Sequence, residues 1–190
     1  MFKRSILVIA ALVLVLGVAS VSLGAPAFKI GIVTGTVSQG EDEYRGAEYV
    51  VAKYPGMLEH RTYPDNFMAE QETYIAQITG LAADPAIKAI VVNQGVPGTV
   101  AAIRKVKQLR PDILFVIGEP HEDPPIVEKE ADISLIPNNP ARGQSIPQLA
   151  KKLGAKKFLH YSFPRHMSMN DLATRRDLME QECKKLGMEF

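Results

Sequence analysis

The first stretch with residue types suited to chemistry is Gly35-Thr36-Val37-Ser38-Gln39-Gly40. Its Gly-x4-Gly frame is that of a phosphate loop, but Glu41 and Asp42 stand where Lys and Ser/Thr are needed. Two acids there repel a phosphate, although they suit the positive end of a helix. The stretch also falls one glycine short of a Gly-x-Ser-x-Gly nucleophile elbow centred on Ser38. A serine nucleophile needs a histidine and an acid, and His121-Glu122 is the close candidate pair. A hydrolase using Ser38 and His121 is therefore the enzymatic alternative. Gly31, Gly35 and Gly40 lack the spacing of a dinucleotide fingerprint. His60, His121 and His166 are too scattered to predict a metal site, and His160 falls inside a strand pattern. Cys183 has no partner for an internal disulfide and reads as a small buried hydrophobe. Neither a cofactor nor a metal is expected.

The elements that would position these residues alternate between two periods. Short β-branched runs predict strands over 28–34, 58–63, 87–92, 113–117, 132–136 and 158–161. Apolar residues at helical spacing predict helices over 41–54, 68–83, 100–109, 145–153 and 170–186, the first stopped by Pro55-Gly56. Runs that are apolar on both faces, alternating with helices, predict an α/β protein with a doubly wound parallel sheet. Each strand runs into polar or turn residues at its carboxyl end, over 34–39, 63–66, 93–95, 119–121, 138–139 and 162–166. In a parallel sheet those ends share one edge, where ligands bind.

The chain has 190 residues, 46% of them hydrophobic, which is too apolar for a disordered protein. Its net charge of +1 gives no basis for binding nucleic acid. Lys3 and Arg4 precede an unbroken apolar run over 6–16, and small residues follow to Ala27. This is the layout of a secretory signal peptide over 1–24, cleaved after Gly24 or after Ala27. The alternative is an uncleaved anchor, since 6–21 approaches the ~17-residue lower limit for a membrane span. Export places the protein in the periplasm or outside the cell.

An export signal followed by FKIGIVTGT at 28–36, and a helix containing Tyr44-Arg45-Gly46-Ala47, resembles the start of a type I periplasmic solute-binding protein. More narrowly, the sequence over 28–190 resembles the bacterial family called domain of unknown function 3798. The resemblance implies two α/β lobes that close on a small-molecule ligand without covalent chemistry, acting as a monomer with a membrane permease or receptor. It implies a first lobe over 28–137, a crossing near Asn138-Asn139-Pro140, and a second lobe that begins with the helix at Ser145. Its cleft residues map to Thr36, Ser38 and Gln39 after the first strand, Asn93 and Gln94 after the third, and Glu119 and His121 after the fourth. The wider fold often places an arginine on the second lobe's second helix. Arg175 or Arg176 occupies that place, and Arg176 shares the face of Leu172 and Met179. Neutral amides and hydroxyls with one acid favour a small polar or cationic solute. The absence of Trp disfavours a sugar held by indole stacking, although Tyr44, Tyr63 and Phe163 could stack on one.

At the C-terminus Gly187 is a helix-stop signal, and Met188-Glu189-Phe190 alternates like a strand just beginning. One strand and two helices after residue 138 cannot cover both faces of a sheet. The sequence therefore reads as a partial chain, with the second lobe only begun over 138–190. The other arrangement open to it adds 158–161 to the first sheet as a sixth strand.

Overall fold

The computed structural model describes residues 27–190, so the signal-like segment over 1–24 lies outside the described residues. Five strands form one sheet: β1 (Lys29–Thr34), β2 (Leu58–Thr62), β3 (Ile87–Val92), β4 (Leu114–Gly118) and β5 (Ile133–Leu135). Their order is β2-β1-β3-β4-β5 and every pair is parallel. The crossovers are α1 (Glu41–Lys53), α2 (Gln71–Ala82), α3 (Thr99–Leu109) and α4 (Pro124–Glu130). Parallel strands cannot be joined by tight turns, so each connection must return the chain across the sheet. Right-handed crossovers put α1 on one face and α2, α3 and α4 on the other, because the chain reverses its direction of travel after β2.

The face under α2 and α3 is the core. Val33, Ile90, Val92, Phe115 and Ile117 from the strands meet Tyr74, Ile78, Leu81, Ile103 and Val106 from the helices. Each such side chain contributes about 1.5–3 kcal/mol by leaving water. Gly31 lies opposite Leu81, where an added Cβ would stand 2.8 Å from Cδ1. The strands are less symmetric than two-sided apolar runs predict. Ala89, Val91 and Val116 on the α1 side are only half-buried.

Two elements differ from expectation after β4. The helix α4 was not signalled by periodicity, since seven residues give no amphipathic repeat; Asp123 followed by Pro124 and Pro125 is its local signature. Helix α5 (Asn139–Lys152) starts six residues before Ser145, because the Asn138 side chain accepts from the Ala141 backbone N–H at 3.0 Å. Among the described residues no sixth strand joins the sheet. Residues 158–161 lie outside the sheet, with Leu159 91% exposed; Lys157 bridges Glu189 in parallel, and the Phe158 N–H donates to the Glu189 carbonyl at 2.7 Å. A strand needs a partner along its length, and here the neighbouring segment contributes a single bridge.

After a 3₁₀ turn (Pro164–Ser168), α6 (Asn170–Lys185) packs against α5. Gly143 makes the contact close, since a Cβ there would lie 2.7 Å from the Arg175 carbonyl oxygen and 2.8 Å from Leu178 Cβ. Gln148 Nε2 donates to Glu182 Oε1 at 2.8 Å across the same interface, beside buried Met179 and Cys183. Gly143→Ala is expected to destabilise the α5–α6 pair by about 1–3 kcal/mol, since backbone cannot yield as a side-chain tip can. Hydrogen exchange should quicken in α5 and α6 while β3 and β4 stay protected. Unchanged exchange in α5 would contradict the close approach.

Candidate functional site

The carboxyl ends of the strands open onto a cavity of about 590 Å³. The sheet supplies one wall through Gln39, Gln94, Glu119 and His121, and the starts of α5 and α6 with the 3₁₀ turn supply the other. Gln94 follows β3, where its Nε2 donates to Glu43 Oε1 at 2.6 Å. The Tyr63 hydroxyl donates to Gln94 Oε1 at 3.4 Å, and burial, with the Glu43 charge, pushes that hydroxyl up to about 12. Tyr63 itself is buried among Phe67 and Tyr74, so it belongs to the core rather than to the cavity wall.

The end of β4 is tightly held. Gly118 admits no Cβ, which would lie 2.5 Å from the Asn93 carbonyl oxygen. Glu119 follows at φ 35°, in the left-handed region, with its N–H donating to the Leu135 carbonyl at 3.0 Å. A non-glycine residue there stores about 1–2 kcal/mol, and it leaves the exposed carboxylate at the cavity mouth. His121 is half-buried, its N–H donating to the Gly95 carbonyl at 2.8 Å. Its Nδ1 is buried without a hydrogen-bond partner.

Thr36, Ser38 and Asn93 do not line the cavity. Thr36 and Ser38 both donate to the Asp65 carboxylate, Ser38 Oγ at 2.7 Å, and these bonds hold Asp65 below the usual carboxylate range. Gln39 Nε2 joins them by donating to the Asp65 carbonyl at 2.8 Å. Ser38 therefore meets an acid, not a base. Glu122 is not available to His121 either, because its carboxylate accepts from the Gly98 N–H at 2.9 Å and the Val100 N–H at 2.8 Å, at the start of α3. No hydrogen bond links Ser38, His121 and Glu122 among the described residues. The near-elbow at Ser38 and the His121-Glu122 pair therefore form no triad, since Asp65 holds Ser38 and the start of α3 holds Glu122.

On the second wall the arginine is Arg175, not Arg176. Arg176 turns to Asp177 and Glu180, at 3.1 Å and 2.5 Å, and lies over the Phe190 ring. Arg175 Nη1 donates to Asn139 Oδ1 at 2.9 Å, and Asn139 Nδ2 donates to Asp171. Arg142 comes from the first turn of α5, and Arg165 lies 4.5 Å over the Phe163 ring. Sequence reasoning missed Arg142 and Asp171, and held Asn139 and Arg165 only as members of the polar segments over 138–139 and 162–166. The signal for Arg142 was the Asn138-Asn139-Pro140 cap, which starts α5 early and places Arg142 beside the crossing. Phe163 lines the cavity, whereas Tyr44 packs on His60 at 5.2 Å between ring centroids.

Residues 28–190 match the family described as protein of unknown function (DUF3798). The chain belongs to that family. A relative, an uncharacterised protein of Treponema pallidum (strain Nichols), is 38% identical over 170 residues, covering 86% of this chain and 77% of its own. Among solved structures, a candidate transcriptional regulator from Clostridium difficile 630 superposes with a TM-score of 0.70 at 27% identity, over 86% of this chain and 48% of its own. A periplasmic solute-binding protein of an ABC transporter from Actinobacillus succinogenes 130z, with bound D-allose, gives 0.61 at 13% identity, over 85% and 57%. A periplasmic ribose ABC transporter structure from Conexibacter woesei DSM 14684 gives 0.60 at 11%, over 87% and 53%. This DUF3798 chain thus has the type I periplasmic binding protein fold and spans about half the length of these solved structures.

The histidines of the DUF3798 cavity titrate low. Burial depresses His121 first, and the charges of His166 and Arg165 depress it further; burial and Arg165 depress His166. A histidine whose folded pKa lies below its unfolded value near 6.5 adds no penalty above that value, and costs stability as pH falls beneath it. Unfolding free energy is therefore expected to decline from pH 7.5 to pH 5.5, and His121→Asn should flatten the slope. Urea midpoints at the two pH values check this, and an unaltered slope in the variant would remove His121 as a source.

Proposed function

We propose that this protein is an exported solute-binding protein that captures a small polar solute in the cavity without covalent chemistry. The observation that carries this reading is the cavity at the carboxyl edge of a five-stranded parallel sheet, closed on its far side by α5 and α6. That edge is where open α/β sheets bind ligands, because the loops there can vary without disturbing the core. In this reading 28–137 forms the first lobe and 138–190 the crossing and the start of a second. Residues 1–24 direct the chain to the periplasm or the medium, and a membrane permease or receptor takes the loaded form, for uptake or sensing. The binding of D-allose by the Actinobacillus protein of this fold supports a small-solute role. The engagement of Ser38 by Asp65 and of Glu122 by α3 weighs against hydrolysis.

The test is a thermal-shift screen of the full-length protein against small metabolites. A ligand held at 100 times its Kd adds about 2.7 kcal/mol to the native state. For any solute that binds, Gln94→Ala and Glu119→Ala should each weaken affinity by about 1–3 kcal/mol, the cost of one lost buried polar contact. Calorimetry showing unchanged affinity in both variants would move the site elsewhere, and covalent labelling of Ser38 by a fluorophosphonate probe would favour the hydrolase.

A further inference from the structure

The lining of the cavity carries three arginines and four carboxylates, and the two sets are not joined in ion pairs. Arg142, Arg165 and Arg175 line it, and none lies within ion-pair distance of a carboxylate among the described residues. Every other arginine of the described chain makes such a pair. The acids of the same lining are Glu119, Glu122, Asp123 and Asp171. Glu122 is bound to the start of α3 and Asp171 to Asn139, while Glu119 and Asp123 stand exposed at the rim. Two polar atoms of the lining are buried without a partner, Arg175 Nε on the helix wall and His121 Nδ1 on the sheet wall. A buried guanidinium N–H left unsatisfied costs free energy, so a ligand atom that accepts from it is the natural complement. The first turns of α5 and α6 also face the cavity, adding the positive ends of two helices of 14 and 16 residues. Burial and the Arg142 charge hold the Arg175 guanidinium below its usual range although the Asp171 and Glu119 charges oppose them, and burial with cationic neighbours lowers His121.

We propose that the solute carries an anionic group, a carboxylate or a phosphate, which seats against Arg175 and His121 with Arg142 and Arg165 beside it. This rests on the solute-binding reading and narrows it, replacing the cationic solute that amides and one acid suggest. Glu119 at the mouth then takes a hydroxyl or N–H of the same molecule.

The test uses inorganic phosphate and acetate as probes, against neutral erythritol and the cation spermidine. Binding is followed by thermal shift and by the arginine Nε–H resonance of Arg175. Phosphate or acetate should raise the melting temperature and move that resonance. Arg142→Gln and Arg165→Gln, at exposed unpaired side chains, should each weaken the effect about tenfold, the size of one lost charge-assisted contact. Lys152→Gln, an equal charge loss on the exposed end of α5, should not. A preference for erythritol or spermidine, or anion binding insensitive to both arginine variants, would overturn the anionic assignment and leave a solute site standing. No response of the cavity to any of the probes or to the metabolite screen would overturn both.

Discussion

The parallel pairing of β3 between β1 and β4 is the constraint from which the rest of the molecule follows. Ile87, Ile90 and Val92 of β3 are fully buried, and both edges of the strand are hydrogen-bonded. A parallel strand in that position forces every connection over a face of the sheet, so helices must cover it. It also forces all carboxyl ends to one edge. The polar segments that follow β1, β3, β4 and β5 meet there without any of them being near the others in sequence. Tight backbone contacts then fix their relative height, as where Gly118 lies against the Asn93 carbonyl.

The second wall depends on a different contact. Gly143 lets α5 and α6 approach until backbone meets backbone, and this sets where Arg175 emerges. Asn139 is almost fully buried between the two helices and ties Arg175 to Asp171. Because a buried amide must satisfy its hydrogen bonds, Asn139 holds both side chains in one arrangement. The geometry of the cavity is thus a product of helix packing, not of the loops alone.

The same accounting decides which polar residues remain for a ligand. Asp65 takes up Thr36 and Ser38, Glu122 satisfies two N–H groups of α3, and Glu180 takes up Arg176. Each of these looked available in the sequence, and each is engaged once its neighbours are in place. What is left over is the set of arginines without carboxylate partners and two buried nitrogens without hydrogen bonds. Unmet bonding capacity collected around one cavity is the physical mark of a binding site.

The sequence by itself determined the sheet, the helices that cover it and the edge at which polar residues gather, because periodicity and strand composition are local properties of the chain. Its five predicted strands over 28–136 are the five observed, to within a residue or two at their ends. Gln39, Gln94, Glu119 and His121 were legible for the same reason, since a parallel sheet brings strand ends together whatever the side chains are. Tertiary structure decided the rest. The position of 158–161 outside the sheet, the engagement of Ser38 and the choice of Arg175 over its neighbour Arg176 all depend on partners distant in sequence. Two adjacent arginines on one helix differ by about 100° in direction, and only the packing of α5 against α6 says which of them faces the cavity.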